Sequence, residues 1–77
     1  SVPPSCGLMQ LQPATANTFK NRCGVTANIT CDWLTNAANA TASICIGAHF
    51  LQSLAGGTCG ANVRNIAAGY NAGAGNC

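Results

Sequence analysis

Apolar residues first recur at helical spacing in the stretch that begins at Pro13. Ala16 and Phe19 fall on one face of a helix that we place over about Pro13 to Arg22. Proline suits the first position of a helix, because its missing N–H would have no partner there. Gly24 follows the last turn, and glycine at that place favours an end to the helix.

A longer apolar stripe predicts a second helix over about Ala40 to Ala55. Its members are apolar or small residues at helical spacing: Ile44, Gly47, Ala48, Leu51, Leu54 and Ala55. Asn39 or Thr41 is placed to cap the first turn, and the pair Gly56–Gly57 ends the helix. We therefore expect this stripe to face the core.

A third helix is predicted between Gly60 and about Tyr70. Its expected inward residues follow the same helical spacing: Val63, Ile66, Ala67 and Tyr70. The glycine-rich stretch from Asn71 to Gly75 then breaks it. This helix and the one before it are expected to pack as an antiparallel pair.

The segment between the first two helices carries a weaker helical signal. Thr30 can cap a short turn, and Asp32 near its N-terminus would suit the helix dipole. Trp33 and Leu34 would then point inward. The chain is therefore predicted to be mainly α-helical.

Six cysteines in 77 residues indicate how so small a domain is held together. Chains of this size bury too little surface for a hydrophobic core alone to give ample stability. The cysteines are Cys6, Cys23, Cys31, Cys45, Cys59 and Cys77. They form no CxxC pair and are accompanied by a single histidine, so we expect disulfides rather than a metal site. Their spacing leaves several pairings open, and their presence points to an oxidising compartment.

Charged residues are scarce. The net charge is +2, which is too small for a nucleic-acid-binding surface. No apolar run approaches the about 18 residues that a membrane-spanning helix needs. Asp32 is the one acidic residue of the chain.

Three segments, in order along the chain, resemble the SLT-type lytic transglycosylase domain. They are Gly7-Leu8-Met9-Gln10-Leu11 followed by Pro13-Ala14-Thr15-Ala16, then Ser43-Ile44 with Gly47 and Phe50-Leu51, and finally Ala67-Ala68-Gly69-Tyr70-Asn71-Ala72-Gly73-Ala74-Gly75. The family signatures are similar to these in letters and in spacing, and together they span nearly the whole chain. The family shares the lysozyme-like fold with goose-type lysozyme. The resemblance therefore implies a lysozyme-like helical domain, here partial and stapled by disulfides.

The resemblance also implies a glycan-binding groove. Met9 would pack under a sugar ring and Gln10 would hydrogen-bond the sugar. Tyr70 would orient the catalytic carboxyl group, and Asn71 would join the substrate-binding residues. For Met9 and Tyr70, packing in the core is the plain alternative.

In the family, one glutamate protonates the glycosidic oxygen between N-acetylmuramic acid and N-acetylglucosamine, and a 1,6-anhydro ring closes without metal or cofactor. This chain contains no glutamate. Asp32 lies far in sequence from the place where the acid belongs, and a capping or surface role suits it better. We therefore expect residues 1–77 to lack both the catalytic-glutamate helix, which would precede Ser1, and the C-terminal helix of the family.

Two functions remain open at this stage. The chain is either the groove-bearing part of a peptidoglycan lytic transglycosylase or an inactive, disulfide-rich glycan-binding or structural module of that fold. A Cys-rich antimicrobial domain is a weaker third possibility, because such chains usually carry a higher positive charge than the +2 of this chain. The expected partner is peptidoglycan or a related N-acetylated glycan, together with an upstream segment of the same protein. The expected location is secreted, periplasmic, or on a cell or virion surface.

Overall fold

A computed structural model describes residues 3–57 and 59–77; residues 1, 2 and 58, which belong to the predicted domain, lie outside the described part. The described residues form four α-helices: α1 (Pro13–Phe19), α2 (Cys31–Thr35), α3 (Ala40–Gly56) and α4 (Val63–Ala72). Short 3₁₀ turns follow α1, precede α3 and follow α4. No strand occurs among the described residues beyond an isolated antiparallel bridge between Cys6 and Leu11. The mainly helical, disulfide-stapled class predicted from the sequence is confirmed.

The first helix begins where the sequence predicts, but its α-helical part ends at Phe19 rather than at about Arg22. Pro13 occupies its first turn, and Ala16 is fully buried. The α-helix gives way to a 3₁₀ turn at Lys20–Cys23, so the predicted single helix is two consecutive pieces. Gly24 ends the turn with φ 74°, in the left-handed region that glycine adopts without a steric cost.

The weakly predicted helix is present as α2. The Thr30 hydroxyl accepts a hydrogen bond of 3.2 Å from the Trp33 amide, and Asp32 lies exposed in the first turn. Leu34 is buried, and Trp33 packs partly buried against the core. The predicted cap and the inward direction of both apolar residues are confirmed.

The predicted inward face of α3 is partly wrong: Gly47 and Leu54 are buried as expected, but other members of the predicted stripe are exposed. Ile44 is 48% exposed and Leu51 is 38% exposed, although both belong to the predicted stripe, and Ala48 is exposed too. The residues that face the core are Ser43, Ile46, Gly47, Phe50 and Leu54. This helix carries apolar residues nearly all round, so helical spacing fits more than one face.

The contacts of Phe50 and Cys45 decide which face of α3 is buried. The Phe50 ring lies 5.8 Å from the Phe19 ring and 5.1 Å from the Tyr70 ring, between the two neighbouring helical segments. Cys45 is linked to Cys23 of the 3₁₀ turn. The predicted stripe contained neither Phe50 nor Cys45, and this is why only part of it faces the core.

The predicted inward face of α4 is also partly wrong. Val63 is 81% exposed and Ala67 is exposed, whereas Ile66 and Tyr70 are partly buried as expected. Gly69 is the buried residue of the helix. A Cβ at Gly69 would lie 2.6 Å from the Cys59 sulfur, so α4 packs through a position where only hydrogen fits. Because glycine has no apolar side chain, the hydrophobic pattern of the sequence does not indicate that the Gly69 face of α4 is buried.

All six cysteines are paired, as Cys6–Cys31, Cys23–Cys45 and Cys59–Cys77. The first bond ties the N-terminal loop to α2, and the second ties the turn after α1 to α3. The third joins the two flanks of α4. The expectation of disulfides is confirmed, and the structure supplies the pairing that the spacing left open.

Candidate functional site

A tight loop from Cys6 to Leu11 forms the first wall of the candidate site. The backbone of Cys6 exchanges two hydrogen bonds with that of Leu11, of 2.9 and 3.2 Å, which close the loop at its base. Both of these residues are buried, and Cys6 is further tied to Cys31. The loop therefore presents its central residues, 8 to 10, from a fixed base.

Two residues of this loop have positive φ. Gly7 has φ 74° and Gln10 has φ 48°. Left-handed backbone is uncommon for glutamine and costs free energy, so the surrounding contacts must hold it. The Gln10 amide and its side-chain Nε2 both donate to the Gly7 carbonyl oxygen, at 3.1 and 2.9 Å. The Gln10 side chain therefore braces the loop with its nitrogen and leaves its oxygen without a partner among the described residues.

Gly7 also packs tightly against α2. A Cβ at this position would overlap the carbonyl oxygen of Leu34. The first glycine of the GLMQL motif is thus needed for its backbone angle and for its lack of a side chain.

Tyr70 joins α4 to the loop. Its hydroxyl donates a hydrogen bond of 2.6 Å to the Met9 carbonyl oxygen, across 61 positions of sequence. Its ring packs on Phe50, which packs in turn on Phe19. The Tyr70 side chain is therefore held in place by a partly buried aromatic cluster around its ring and by the loop backbone at its hydroxyl.

Gly47 of α3 lies under this contact. A Cβ there would lie 2.5 Å from the Met9 methyl carbon and 3.1 Å from the Tyr70 hydroxyl. The Met9 side chain consequently lies on the bare backbone of α3. Gly47 belongs to the second motif and Tyr70 to the third. Both contact Met9, which belongs to the first motif.

These contacts build a groove of about 430 Å³ between the loop and the two long helices. It is lined by residues of the loop, of α3 and of α4: Leu8, Met9, Gln10, Leu51, Ala67, Tyr70 and Asn71. Most of the lining is apolar, with amide groups and one hydroxyl at its edges. Such a composition suits a ligand with apolar ring faces and polar substituents, which sugars have.

The groove brings together all four residues that the sequence assigned to the site. Met9 and Gln10 come from one segment, and Tyr70 and Asn71 from another that lies 60 positions further along. Their roles toward a substrate remain predictions. Asp32 does not line the groove, and no carboxylate lines it among the described residues.

Three further residues line the groove although the sequence did not predict them to be part of the site. Leu51 and Ala67 were expected to face the core, and both are exposed to the groove instead. Leu8, which is 68% exposed, was part of the first motif but was given no role of its own. The neighbouring loop residues Met9 and Leu11 are apolar as well, so residue type alone gave no signal that Leu8 lines the groove.

Burial raises the pKa of the Tyr70 hydroxyl above its ordinary value of 10.0. The phenol is thus neutral at physiological pH and able to donate its proton to Met9. A raised pKa means that the folded state holds the proton more tightly than the unfolded state does. The stabilising effect is fully present below pH 10 and is lost as the pH rises through the folded-state pKa.

We therefore expect Tyr70 to titrate above pH 10.0, and we expect the free energy of unfolding to fall above that pH. Tyr70 is the single tyrosine of the chain, so tyrosinate absorbance reports it directly. Tyr70→Phe should lower the stability by about 1 kcal/mol at neutral pH. The stability difference between wild type and this variant should shrink as the pH rises past 10.0. A wild-type titration at or below that pH would contradict the buried, bonded hydroxyl.

Comparison with protein families gives a match over nearly the whole chain. The family model described as Transglycosylase SLT domain matches residues 2–77. The chain belongs to the transglycosylase SLT domain family, as the three motifs predicted. Neither a search of curated proteins nor a search of solved structures finds a significant match. Among the described residues, no helix has both the length and the apolar character needed to cross a membrane.

Proposed function

We propose that this chain supplies the glycan-binding groove of a peptidoglycan lytic transglycosylase. The observation that carries the proposal is the meeting of the three family motifs in one groove, through Met9, Gly47 and Tyr70. The family membership points to a cell-wall glycan as the ligand. The groove's apolar floor and amide edges suit N-acetylated sugars.

The polar groups of the groove have distinct roles in this proposal. Gln10 offers its unpartnered side-chain oxygen to a sugar hydroxyl or N-acetyl N–H. The side chain of Asn71, exposed at the end of α4, has no hydrogen bond to the described residues and offers both an oxygen and a nitrogen. Tyr70 donates its one O–H to Met9, so toward an incoming carboxyl group its oxygen acts as an acceptor. It would therefore orient a protonated acid, the state that the first step of the reaction needs.

The acid itself is assigned to another segment. In the family it is a glutamate, and Asp32, the one carboxylate side chain here, is exposed on α2 away from the groove lining. We propose that a glutamate-bearing helix upstream of Ser1 provides it and that further helix follows Cys77. The three disulfides support a secreted, periplasmic or surface location.

A specific observation favours a second candidate function. The chain has no glutamate, and no carboxylate lines the groove in the described part of the chain, so binding without cleavage is what these residues can do unaided. The second candidate is therefore an inactive glycan-binding module.

The mass and the activity of the native material distinguish the two candidate functions. An intact mass well above 7.7 kDa, together with 1,6-anhydro products from peptidoglycan, would establish the enzyme. Retained binding with no product would establish the module.

Glycan binding should depend on Asn71. We expect Asn71→Ala to weaken binding of a soluble N-acetylglucosamine–N-acetylmuramic acid oligomer about 3- to 10-fold, the effect of losing one hydrogen bond. Calorimetric titration measures this directly. Because the Asn71 side chain has no bond within the described structure, the fold should be unaffected.

Asn65→Ala is the matched control. Asn65 belongs to the same helix, is not among the residues that line the groove, and makes no side-chain hydrogen bond to the residues that the structure describes. The control should bind like wild type. Equal binding by all three proteins would remove Asn71 from the site, and equal weakening by both variants would show that the effect is on α4 rather than on the groove.

A further inference from the structure

Arg64 on α4 differs from the other two cations of the chain, because it has no partner among the described residues. The Lys20 Nζ donates a hydrogen bond of 2.8 Å to the Ala27 carbonyl oxygen. The Arg22 guanidinium lies 5.9 Å from the centre of the Phe19 ring, within the range of a cation–π contact. Arg64 is exposed, and no hydrogen bond, ion pair or ring contact holds its side chain within the part of the chain that the structure describes. Its guanidinium is therefore available to a ligand.

Arg64 lies in line with the part of α4 that lines the groove. Ala67 and Asn71, which both line it, follow Arg64 by three and by seven positions. Residues at this spacing share one face of a helix, and all three of these residues are exposed. With a rise of about 1.5 Å per residue, the Arg64 backbone lies about 4.5 Å beyond that of Ala67 along the helix axis.

Arg64 is on the side of the groove that is remote from the Cys6–Leu11 loop. The loop meets α4 at Tyr70, whose hydroxyl donates to the Met9 carbonyl oxygen. Arg64 precedes Tyr70 by six positions, which is about 9 Å along the helix axis. Long side chains on helices lean toward the helix N-terminus, so the guanidinium extends further from the loop. A glycan strand that leaves the loop and follows α4 past Ala67 therefore comes within reach of Arg64.

Arg64 brings a charge to the edge of a neutral groove. No charged side chain lines the groove in the described structure, and Arg64 is the single charged residue of α4. Asp32, the one acidic residue of the chain, lies exposed on α2 and makes no ion pair with the residues described. This arrangement favours a ligand that is uncharged along its rings and carries an anionic group beyond them.

We propose that Arg64 binds a carboxylate on the substituent of a muramic acid residue, and so makes the groove prefer peptidoglycan to neutral N-acetylglucosamine polymers. This inference rests on the proposed function, because it assumes that a glycan lies in the groove. N-acetylmuramic acid differs from N-acetylglucosamine by a lactyl ether. The carboxylate is that of the lactyl group itself or that of a peptide which this group bears. Arginine keeps its charge in proteins and offers a carboxylate two parallel N–H donors.

The test measures Kd by calorimetric titration of the whole chain with four tetrasaccharides. Two are neutral: the N-acetylglucosamine tetramer, and an alternating N-acetylglucosamine–N-acetylmuramic acid tetramer with its lactyl groups as methyl esters. Two are acidic: the alternating tetramer with free lactyl carboxylates, and the same tetramer with a short acidic peptide on each lactyl group. The methyl ester keeps the shape of the lactyl group and removes its charge, so it separates charge from fit.

We expect the wild-type chain to bind at least one acidic tetramer about 3- to 10-fold more tightly than the methyl ester, the effect of one exposed, charge-assisted contact. The acidic tetramer that shows this preference identifies the lactyl or the peptide carboxylate as the group bound. Added salt should reduce the preference, because it screens the attraction between exposed charges.

Arg64→Gln should bring the acidic and neutral tetramers to nearly equal affinity. Arg22→Gln is the matched control, because it removes the same charge from an exposed residue that is not among those lining the groove. The control should keep the preference of the wild type. The comparison of acid and ester is made on the wild-type chain, so it stands even if a variant fails to fold.

Three results would each overturn this inference: equal affinity of the wild type for acidic and neutral tetramers, an undiminished preference in Arg64→Gln, or an equal loss of preference in Arg22→Gln. The last result would show that net charge rather than the position of Arg64 is responsible. Binding of the tetramers without any preference leaves the proposed function standing. Absence of binding by all four would contradict the proposed function and this inference with it.

Discussion

Gly7→Ala is expected to lower the free energy of unfolding by about 2 to 5 kcal/mol and to weaken glycan binding at least about tenfold. Two costs add. Left-handed backbone costs an L-residue with a Cβ about 1 to 2 kcal/mol, and Gly7 has φ 74°. Overpacking costs about 1 to 3 kcal/mol more, because the new Cβ would overlap the Leu34 carbonyl oxygen. The carbonyl belongs to helix backbone, so the loop must move, and Met9 and Gln10 move with it.

Gly24→Ala is a closely matched control for this prediction. Gly24 also has φ 74°, but a Cβ there would meet nothing within 4 Å. It should cost only the backbone term of about 1 to 2 kcal/mol and should leave glycan binding intact. Urea unfolding and calorimetric titration of both variants separate the two costs. If the variants lose equal stability and both bind like wild type, the contact between Gly7 and α2 does not hold the groove.

Replacing both Cys6 and Cys31 by serine is expected to cost about 3 to 4 kcal/mol, because the bond closes a loop with a sequence separation of 25. That is a large share of the about 5 to 15 kcal/mol that keeps a typical domain folded. The same change frees the base of the groove loop, since Cys6 pairs with Leu11 there. We therefore expect weaker glycan binding even at a temperature where the variant is folded.

The double serine variant of Cys23 and Cys45 separates stability from binding. Its bond spans a similar separation of 22 positions, so the loss of stability should be nearly the same. Neither residue lines the groove, and binding should persist in the folded fraction. Urea unfolding followed by circular dichroism gives the first quantity, and titration with the glycan oligomer gives the second. Equal binding losses in the two double variants would contradict the role of Cys6 as the anchor of the loop.

Local sequence signals predicted the helices and their ends well. Pro13, Thr30 and Gly24 act through backbone geometry within a few residues, so their effects can be read without knowing the fold. The family motifs added the long-range result that residues 9, 10, 70 and 71 share one groove. No local rule would have brought the Met9 carbonyl to the Tyr70 hydroxyl.

The errors arose where tertiary packing decides. Helix α3 carries apolar residues on nearly all of its sides. Its core face is set by the packing of the Phe50 ring and by the Cys23–Cys45 bond, and helical spacing reveals neither of these contacts. Leu51 and Ala67 look like core residues in sequence, yet a binding groove needs apolar residues that no part of the chain covers. The disulfide pairing depended on the same three-dimensional arrangement.

The positive φ of Gln10 was hidden for a different reason. Glutamine has no marked preference for left-handed backbone, so nothing in the residue type predicts that conformation. The angle follows from closure of the Cys6–Leu11 loop and from the bonds to the Gly7 carbonyl. Departures from local preference of this kind are common at functional sites.

The central claim is that the groove between the Cys6–Leu11 loop, α3 and α4 binds a cell-wall glycan. Amide chemical-shift mapping of the isotope-labelled chain during titration with a soluble N-acetylglucosamine–N-acetylmuramic acid oligomer tests it most directly. The account predicts that saturable shifts concentrate on the groove-lining residues: Leu8, Met9, Gln10, Leu51, Ala67, Tyr70 and Asn71. Shifts centred elsewhere, or none at oligomer concentrations that saturate other glycan-binding domains, would contradict it.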